Sequence, residues 1–250
     1  MKISIITITY NSAKTVEETI KSVAAQDYQD LEYIIVDGKS KDRTLEIVNK
    51  YASKISNLVS EKDNGLYDAL NKGIKLATGD VIGMLHSDDV YSDSNVISKV
   101  AALFESSSQP DAVYADLVFV DRTNPDKVLR TWKAGEYEPG SFLKGWMPPH
   151  PTFFVKREVY EKLGGFNTTL KLSADYELML RFIHKNGIRV AYLPETIVKM
   201  RMGGVSNTSF FVKLKANMED KLAWKLNDIK PGFFTRFMKP LNKVKQYLKK

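Results

Sequence analysis

Val81-Ile82-Gly83-Met84-Leu85-His86-Ser87-Asp88-Asp89 is an apolar run that ends in two adjacent carboxylates. Side by side at the end of a strand, two anions repel each other and do little for folding. They make sense around a divalent cation that itself holds an anionic ligand. The chemistry suggested is a metal-assisted transfer on a phosphate-bearing substrate, with Asp88 and Asp89 as metal ligands.

Other polar residues follow apolar runs in the same way. Thr9-Tyr10-Asn11 closes the run from Ile3, and Asp37-Gly38 closes Leu31 to Val36. In open α/β sheets ligands gather outside the carboxyl ends of the strands, so these groups are expected to share one crevice with His86 to Asp89. Each also has a plainer reading. Asn11 or Ser12 fits a helix cap, and Asp37 to Asp42 fits a turn followed by a cap. Neither a GxxxxGK[ST] loop nor a GxGxxG fingerprint occurs, which argues against P-loop hydrolysis and dinucleotide cofactors. A bound nucleoside diphosphate would need a metal to balance its charge.

The elements that must position these groups follow from periodicity. Strands are expected at Ile3 to Thr9, Leu31 to Val36, Asn57 to Ser60 and Asp80 to Leu85. Helices are expected at Ser12 to Gln26, Thr44 to Tyr51 and Leu66 to Ala77. This alternation predicts an α/β fold, a Rossmann-like, mostly parallel sheet flanked by helices. Further on, the pattern gives a helix over Ser94 to Glu105 and strands over Ala112 to Val120 and Val128 to Trp132. An ordered Gly-, Pro- and aromatic-rich loop follows from Gly135 to Pro149. Next come a strand over Pro151 to Val155, a helix over Ala174 to Asn186, strands over Arg189 to Leu193 and Thr196 to Met200, and a helix over Phe210 to Leu226.

The 250 residues suffice for one sizeable core, and the absence of cysteine excludes disulfides and thiolate chemistry. That is compatible with a reducing cytoplasm. No signal-peptide pattern and no apolar run of membrane-spanning length is present. The net charge of +7 lies entirely in the C-terminal segment. Lys230 to Lys250 holds seven basic and no acidic residues, leaving 30 of each before it. A specific nucleic-acid surface is therefore not expected.

Several ordered motifs together resemble family 2 glycosyltransferases of GT-A fold, over about residues 1 to 207. They are Ile6-Thr7-Ile8-Thr9-Tyr10-Asn11, Val36-Asp37-Gly38-Lys39-Ser40-Lys41-Asp42-Arg43-Thr44, and the run from Ser60 to Gly73. Ala77-Thr78-Gly79-Asp80, Ser87-Asp88-Asp89, Pro149-His150-Pro151-Thr152 and Ser173-Ala174-Asp175-Tyr176-Glu177-Leu178 complete the set. The first segments look like bacterial enzymes of exopolysaccharide, colanic-acid and lipopolysaccharide assembly.

The resemblance implies an inverting transfer from a nucleotide-sugar donor, a UDP-sugar by preference, to a saccharide or lipid-linked saccharide. Thr9, Tyr10 and Asn11 would flank the base and ribose, and Asp37 would bind the nucleobase. Asp88 would bind Mg²⁺ or Mn²⁺ with the diphosphate, and Asp89 would orient the site or cap the next helix. His86 stands where the family's Asp-x-Asp often begins, and with Ser87 it falls in the donor site. Asp175 occupies the place of the catalytic base, although a carboxylate at a helix start also has a purely structural explanation. The residue before it, often Glu in the family, is Ala174.

Arg201, ahead of Gly203-Gly204, fits closure over phosphate oxygens or an ordinary surface position. His150 and Trp146 fit an acceptor pocket or plain packing. The expected layout is a nucleotide-binding part over 1–121, an acceptor part over 122–207, and C-terminal helices over 208–250. The basic tail, with Phe234, Phe237, Met238, Leu241, Val244 and Leu248 at helical spacing, fits contact with an anionic membrane at the cytoplasmic face. A nucleotidyltransferase or a catalytically silent sugar-nucleotide-binding module is the alternative.

Overall fold

The computed structural model describes residues 1–203 and 210–231. The basic tail beyond residue 231, and its expected membrane contact, therefore lie outside the described residues.

The chain runs β1 (Ile3–Thr9), α1 (Val16–Ala24), β2 (Leu31–Asp37), α2 (Thr44–Asn49), β3 (Asn57–Ser60), α3 (Leu66–Leu76), β4 (Val81–Met84), β5 (Asp89–Tyr91) and α4 (Val96–Phe104). Then follow β6 (Ala112–Val120), β7 (Val128–Trp132), β8 (Phe154–Lys156), α5 (Arg157–Leu163), α6 (Ala174–Met179), β9 (Val190–Arg201) and α7 (Phe210–Leu226). One sheet takes the order β3-β2-β1-β4-β8-β6-β9-β5, with β7 paired to β6.

The first four of these strands are mutually parallel. β6 and β9 also pair in parallel, while β8, β7 and β5 join antiparallel. The expected α/β sheet is present, and the antiparallel strands close its second half.

Alternation along the strands divides the core in two. Ile6 and Ile8 of β1, Ile34 and Val36 of β2 and Ile82 and Met84 of β4 pack toward α3 and α6. Ile3, Ile5, Tyr33, Ile35 and Val81 pack toward α1, α2 and α4. β1 is buried along its whole length: a central strand covered on both faces, it takes Ser4, Thr7 and Thr9 into the interior along with its four isoleucines. Burying each such isoleucine stabilises the fold by roughly 1.5–3 kcal/mol. α3 lies so close to β1 that a Cβ on Gly73 would sit 2.4 Å from Ile6 Cγ2.

Three expectations are revised. The strand over Pro151 to Val155 begins only at Phe154, after a 3₁₀ turn over His150–Thr152. Thr152 Oγ1 fixes that turn: it accepts from Ala115 N at 3.1 Å and reaches the Ala115 and Pro149 carbonyls at 2.8 and 2.9 Å. The two strands expected at Arg189 to Leu193 and Thr196 to Met200 are one, β9. Leu193 pairs with Ala115 and Thr196 with Asp116, so Pro194 and Glu195 bulge out of the ladder. Proline has no N–H to give a ladder, and a bulge accommodates it. The helix from Ala174 is α-helical only to Met179 and widens into a π turn over Leu180–Lys185. β5 and α5 were not anticipated, whereas α7 has the expected bounds.

Candidate functional site

The loops after β1 and β2 are laced together. Asn11, in the left-handed region at φ 50°, accepts from Lys41 N through Oδ1 at 2.8 Å, and its own N–H donates to Ser40 Oγ at 2.8 Å. Asparagine is among the few residues that tolerate this backbone. Ser12 N donates to Thr44 Oγ1 at 2.7 Å, and Ala13 N to Asp42 Oδ2 at 3.1 Å. The Tyr10 ring stands out, 60% exposed beside the strand ends. Thr9 is buried, and its Oγ1 has no hydrogen-bond partner.

Asp37 is fully buried. Its carboxylate accepts from Ser40 N at 2.9 Å, Ser40 Oγ at 2.5 Å and Ser60 Oγ at 2.7 Å. Expected to reach a nucleobase, it instead shapes the turn after β2 from within, with no face on solvent.

The end of β4 joins this rim through a 2.9 Å contact between the Ser87 and Ser12 hydroxyls. Asp88 is half-buried, and its carboxylate makes no hydrogen bond or ion pair among the described residues. Its backbone carbonyl accepts from Arg201 Nη1 at 2.8 Å. Asp89 points the other way. It is 1% exposed, Oδ1 accepts from Arg201 N at 3.3 Å, and Oδ2 is buried without a partner. Burial, followed by the neighbouring Asp88 charge, pushes the Asp89 carboxyl well above the usual carboxylate range. Enclosed in this way, the carboxylate has no open face for a cation, which does not support the expected metal role of Asp89.

Arg201 is corrected in the same way. Its side chain is 4% exposed and pairs with Glu18 as well as the Asp88 carbonyl. It buttresses the turn between β4 and β5 instead of standing on a closing loop. Gly204 lies outside the described residues.

The second half of the chain supplies Asp175, in the first turn of α6. Tyr67 of α3 donates its hydroxyl to Asp175 Oδ1 at 3.1 Å. Burial, then the Asp175 charge, pushes the Tyr67 phenol far above its ordinary value, so it remains a donor at all working pH. Tyr67 stacks on Phe166 at 5.5 Å, and Phe166 meets the His150 ring edge-on at 5.8 Å. The His150 and His86 rings are 5.5 Å apart.

Burial, reinforced by His150, pulls the His86 imidazole down, while Asp88 and Asp175 both act on it in the opposite sense. Ring contacts run from Tyr67, which holds Asp175, through Phe166 and His150 to His86. Burial brings His150 down to about 4, and both its ring nitrogens are enclosed without partners. Trp146 is turned inward. Its Nε1 donates to the Ala134 carbonyl at 2.7 Å, and the ring packs on Tyr114, Tyr137 and Phe142. It builds the wall of the loop that carries His150.

Sequence reasoning did not single out Tyr67. Its only signal was a place inside the run from Ser60 to Gly73. Lys72, one helical turn further, was also missed; it bridges Asp63 at 2.7 Å and Glu61 at 2.8 Å.

Among the described residues no group of three or more His, Cys, Asp or Glu side chains is arranged to hold a metal ion. The free carboxylate of Asp88 does fit a cation held by one protein ligand and completed by a bound diphosphate and water, as is usual for Mg²⁺.

Comparison with known proteins places this geometry. Residues 4–172 match the family model described as Glycosyl transferase family 2. A PGL/p-HBAD biosynthesis glycosyltransferase of Mycobacterium bovis is 29% identical over 209 residues, covering 82% of this chain and 79% of that protein. S. aureus TarS 1–349 in complex with UDP-GlcNAc superimposes with a TM-score of 0.70 at 21% identity, over 91% of this chain and 65% of that one. Of the longer TarS chain, this chain spans 39%. The mannosyltransferase PcManGT of Pyrobaculum calidifontis, in complex with GDP-Man and Mn²⁺, gives 0.67 at 23% identity, over 99% of this chain and 69% of that one. The fold is the GT-A fold of these neighbours.

Proposed function

Since the chain belongs to glycosyl transferase family 2, we propose that it is an inverting, metal-dependent enzyme. On this reading it moves a sugar from a nucleoside diphosphate donor, with UDP as the leaving group, to a hydroxyl of a saccharide or lipid-linked saccharide in bacterial surface polysaccharide assembly. The observation that carries the proposal is a pair of carboxylates linked through one set of packed rings: Asp175 is held by Tyr67, whose ring leads through Phe166 and His150 to His86, two residues before the unpartnered Asp88.

The roles divide by position. Asp88 would hold the divalent cation, Mg²⁺ or Mn²⁺. That ion, when bound, stabilises the charge developing on the departing diphosphate. Asp175 takes the proton of the acceptor hydroxyl as its oxygen attacks the anomeric carbon and the bond to the diphosphate oxygen breaks. One base and one in-line displacement give inversion, with no covalent intermediate. Tyr10 offers its exposed ring to the nucleobase, and Asn11 and Ser87 line the same rim. Asp37 and Thr9 shape it from below, and Arg201 braces the Asp88 turn. His86 supplies an imidazole to a sugar or ribose hydroxyl, and the enclosed His150 ring packs against it.

UDP-GlcNAc and GDP-Man in the two solved neighbours support a nucleotide-sugar donor. Membrane contact is the finer part of the proposal. Met218, Leu222 and Leu226 of α7 are 63, 41 and 44% exposed, and Lys215, Lys221 and Lys225 lie among them, also exposed. In sequence this arc is followed by the basic segment after Lys230, and it suits an anionic bilayer surface on the cytoplasmic side. No helix among the described residues is long and apolar enough to cross a membrane.

The test is Asp175→Asn. It is expected to abolish sugar transfer while titration with UDP and Mn²⁺ stays as in the wild type. Wild-type transfer by the variant would overturn the assignment of the base.

A further inference from the structure

α7 was expected to be an appendage to the catalytic region, yet one of its acidic side chains reaches the segment that carries the base. Glu219 is 9% exposed. A single oxygen, Oε2, accepts three consecutive backbone N–H groups, from Lys171 at 3.0 Å, Leu172 at 2.7 Å and Ser173 at 3.0 Å. Three successive amides converging on one anion form a nest. The Ser173 side chain makes no cap to its own helix; its hydroxyl donates to the Ala216 carbonyl of α7 at 3.2 Å. Asp175 is two residues beyond this nest.

The geometry points to Glu219 as a positioning residue for Asp175, a role that rests on Asp175 being the base. It fixes the backbone immediately before the base, and misplacement of a reacting group by about 1 Å costs on the order of a hundredfold in rate.

Three variants of the full chain test this. Glu219→Gln keeps an acceptor oxygen and removes the charge. Glu219→Ala removes both. Asn227→Ala cuts a different tie to α6 from the residue just after α7, the 3.0 Å bond from Nδ2 to Glu177 Oε1.

The readouts are nucleoside diphosphate release from UDP-GlcNAc or GDP-mannose with Mn²⁺, taken as kcat and donor KM, and thermal stability. Glu219→Ala is expected to cut kcat on the order of a hundredfold, with the donor KM unchanged. Glu219→Gln, which keeps an acceptor oxygen, is expected to restore part of that loss. Asn227→Ala is expected to lower thermal stability with kcat unchanged.

An unchanged kcat in Glu219→Ala, or an equal loss of kcat in Asn227→Ala, overturns the inference while leaving the base intact if Asp175→Asn is inactive. Wild-type turnover by Asp175→Asn overturns both.

Discussion

The Tyr67 hydroxyl donates to the Asp175 carboxylate at 3.1 Å across 108 residues of chain. This bond ties α3, which packs against the first strand, to α6, which carries the proposed base. The phenol is held protonated by burial and by Asp175 itself, so it acts as a fixed donor and does not compete for the acceptor's proton.

Tyr67→Phe tests that arrangement. The ring keeps its stack on Phe166 and only the hydroxyl is lost. Stability is expected to fall by about 1 kcal/mol. With one donor gone, the acid limb of the kcat/KM profile is expected to move to higher pH and kcat to fall several-fold. An unchanged profile would show that the hydrogen bond does not tune the base.

Asp88→Ala is expected to remove Mn²⁺-dependent donor binding without harming the fold. Its carboxylate makes no hydrogen bond or ion pair among the described residues, so nothing in the folded chain depends on it. Calorimetric titration with UDP in the presence and absence of Mn²⁺ reads this directly. Retention of the Mn²⁺ effect would move the cation to other ligands. Asp89→Asn, by contrast, is expected to retain the Mn²⁺ effect, since that carboxyl is enclosed.

The contrast between these two neighbours shows what the sequence carries. The strand ends, the polar groups on them and the bounds of α7 were readable because each leaves a local mark: an apolar period, a cap residue, a carboxylate after a strand. The direction in which a side chain points at a strand end leaves none. Asp88 and Asp89 are chemically identical in sequence, and pairing of Asp89 with Met200 in β9 turns one of them inward. Gly203-Gly204 after Arg201 suggests a loop; the burial of Arg201 depends on Glu18, far away in sequence. Tyr67 and Glu219 were missed for the same reason, as their partners lie 46 residues or more away. Pro194 did signal a break in a strand pattern, but a bulge within one parallel ladder and a gap between two strands read alike.

Arg201→Ala is expected to destabilise the protein by about 2 kcal/mol. Breaking a fully buried ion pair costs roughly 3–5 kcal/mol, and here Glu18 is 55% exposed, which lowers the figure. The Asp88 carbonyl also loses its donor. A weakened UDP–Mn²⁺ affinity is therefore expected alongside the lower melting temperature. Glu18→Ala should cost less, because it leaves the Asp88 contact in place. Equal losses in the two variants would place the effect in the ion pair and not in support of the Asp88 turn.

The pH dependence of stability is expected to fall in two windows. His150 is held down to about 4 by burial, against roughly 6.5 in the unfolded chain. A depressed folded-state pKa means that the unfolded chain takes up the proton first. Stability contributed by keeping this ring neutral is therefore present above pH 6.5 and is lost as pH falls toward 4. For Glu32, burial alone would raise the pKa. Hydrogen bonds from Ser4, Thr78 and Lys2 outweigh it and bring the carboxyl down to about 2. Its contribution, of order 2 kcal/mol, is present above about pH 4.5 and lost toward 2. Chemical denaturation at intervals from pH 8 to 3 reads both windows. His150→Asn is expected to flatten the upper one, and Glu32→Gln to lower stability at pH 7 and flatten the lower one. A stability curve that keeps its slope between pH 6.5 and 4 in His150→Asn would assign that window to other groups.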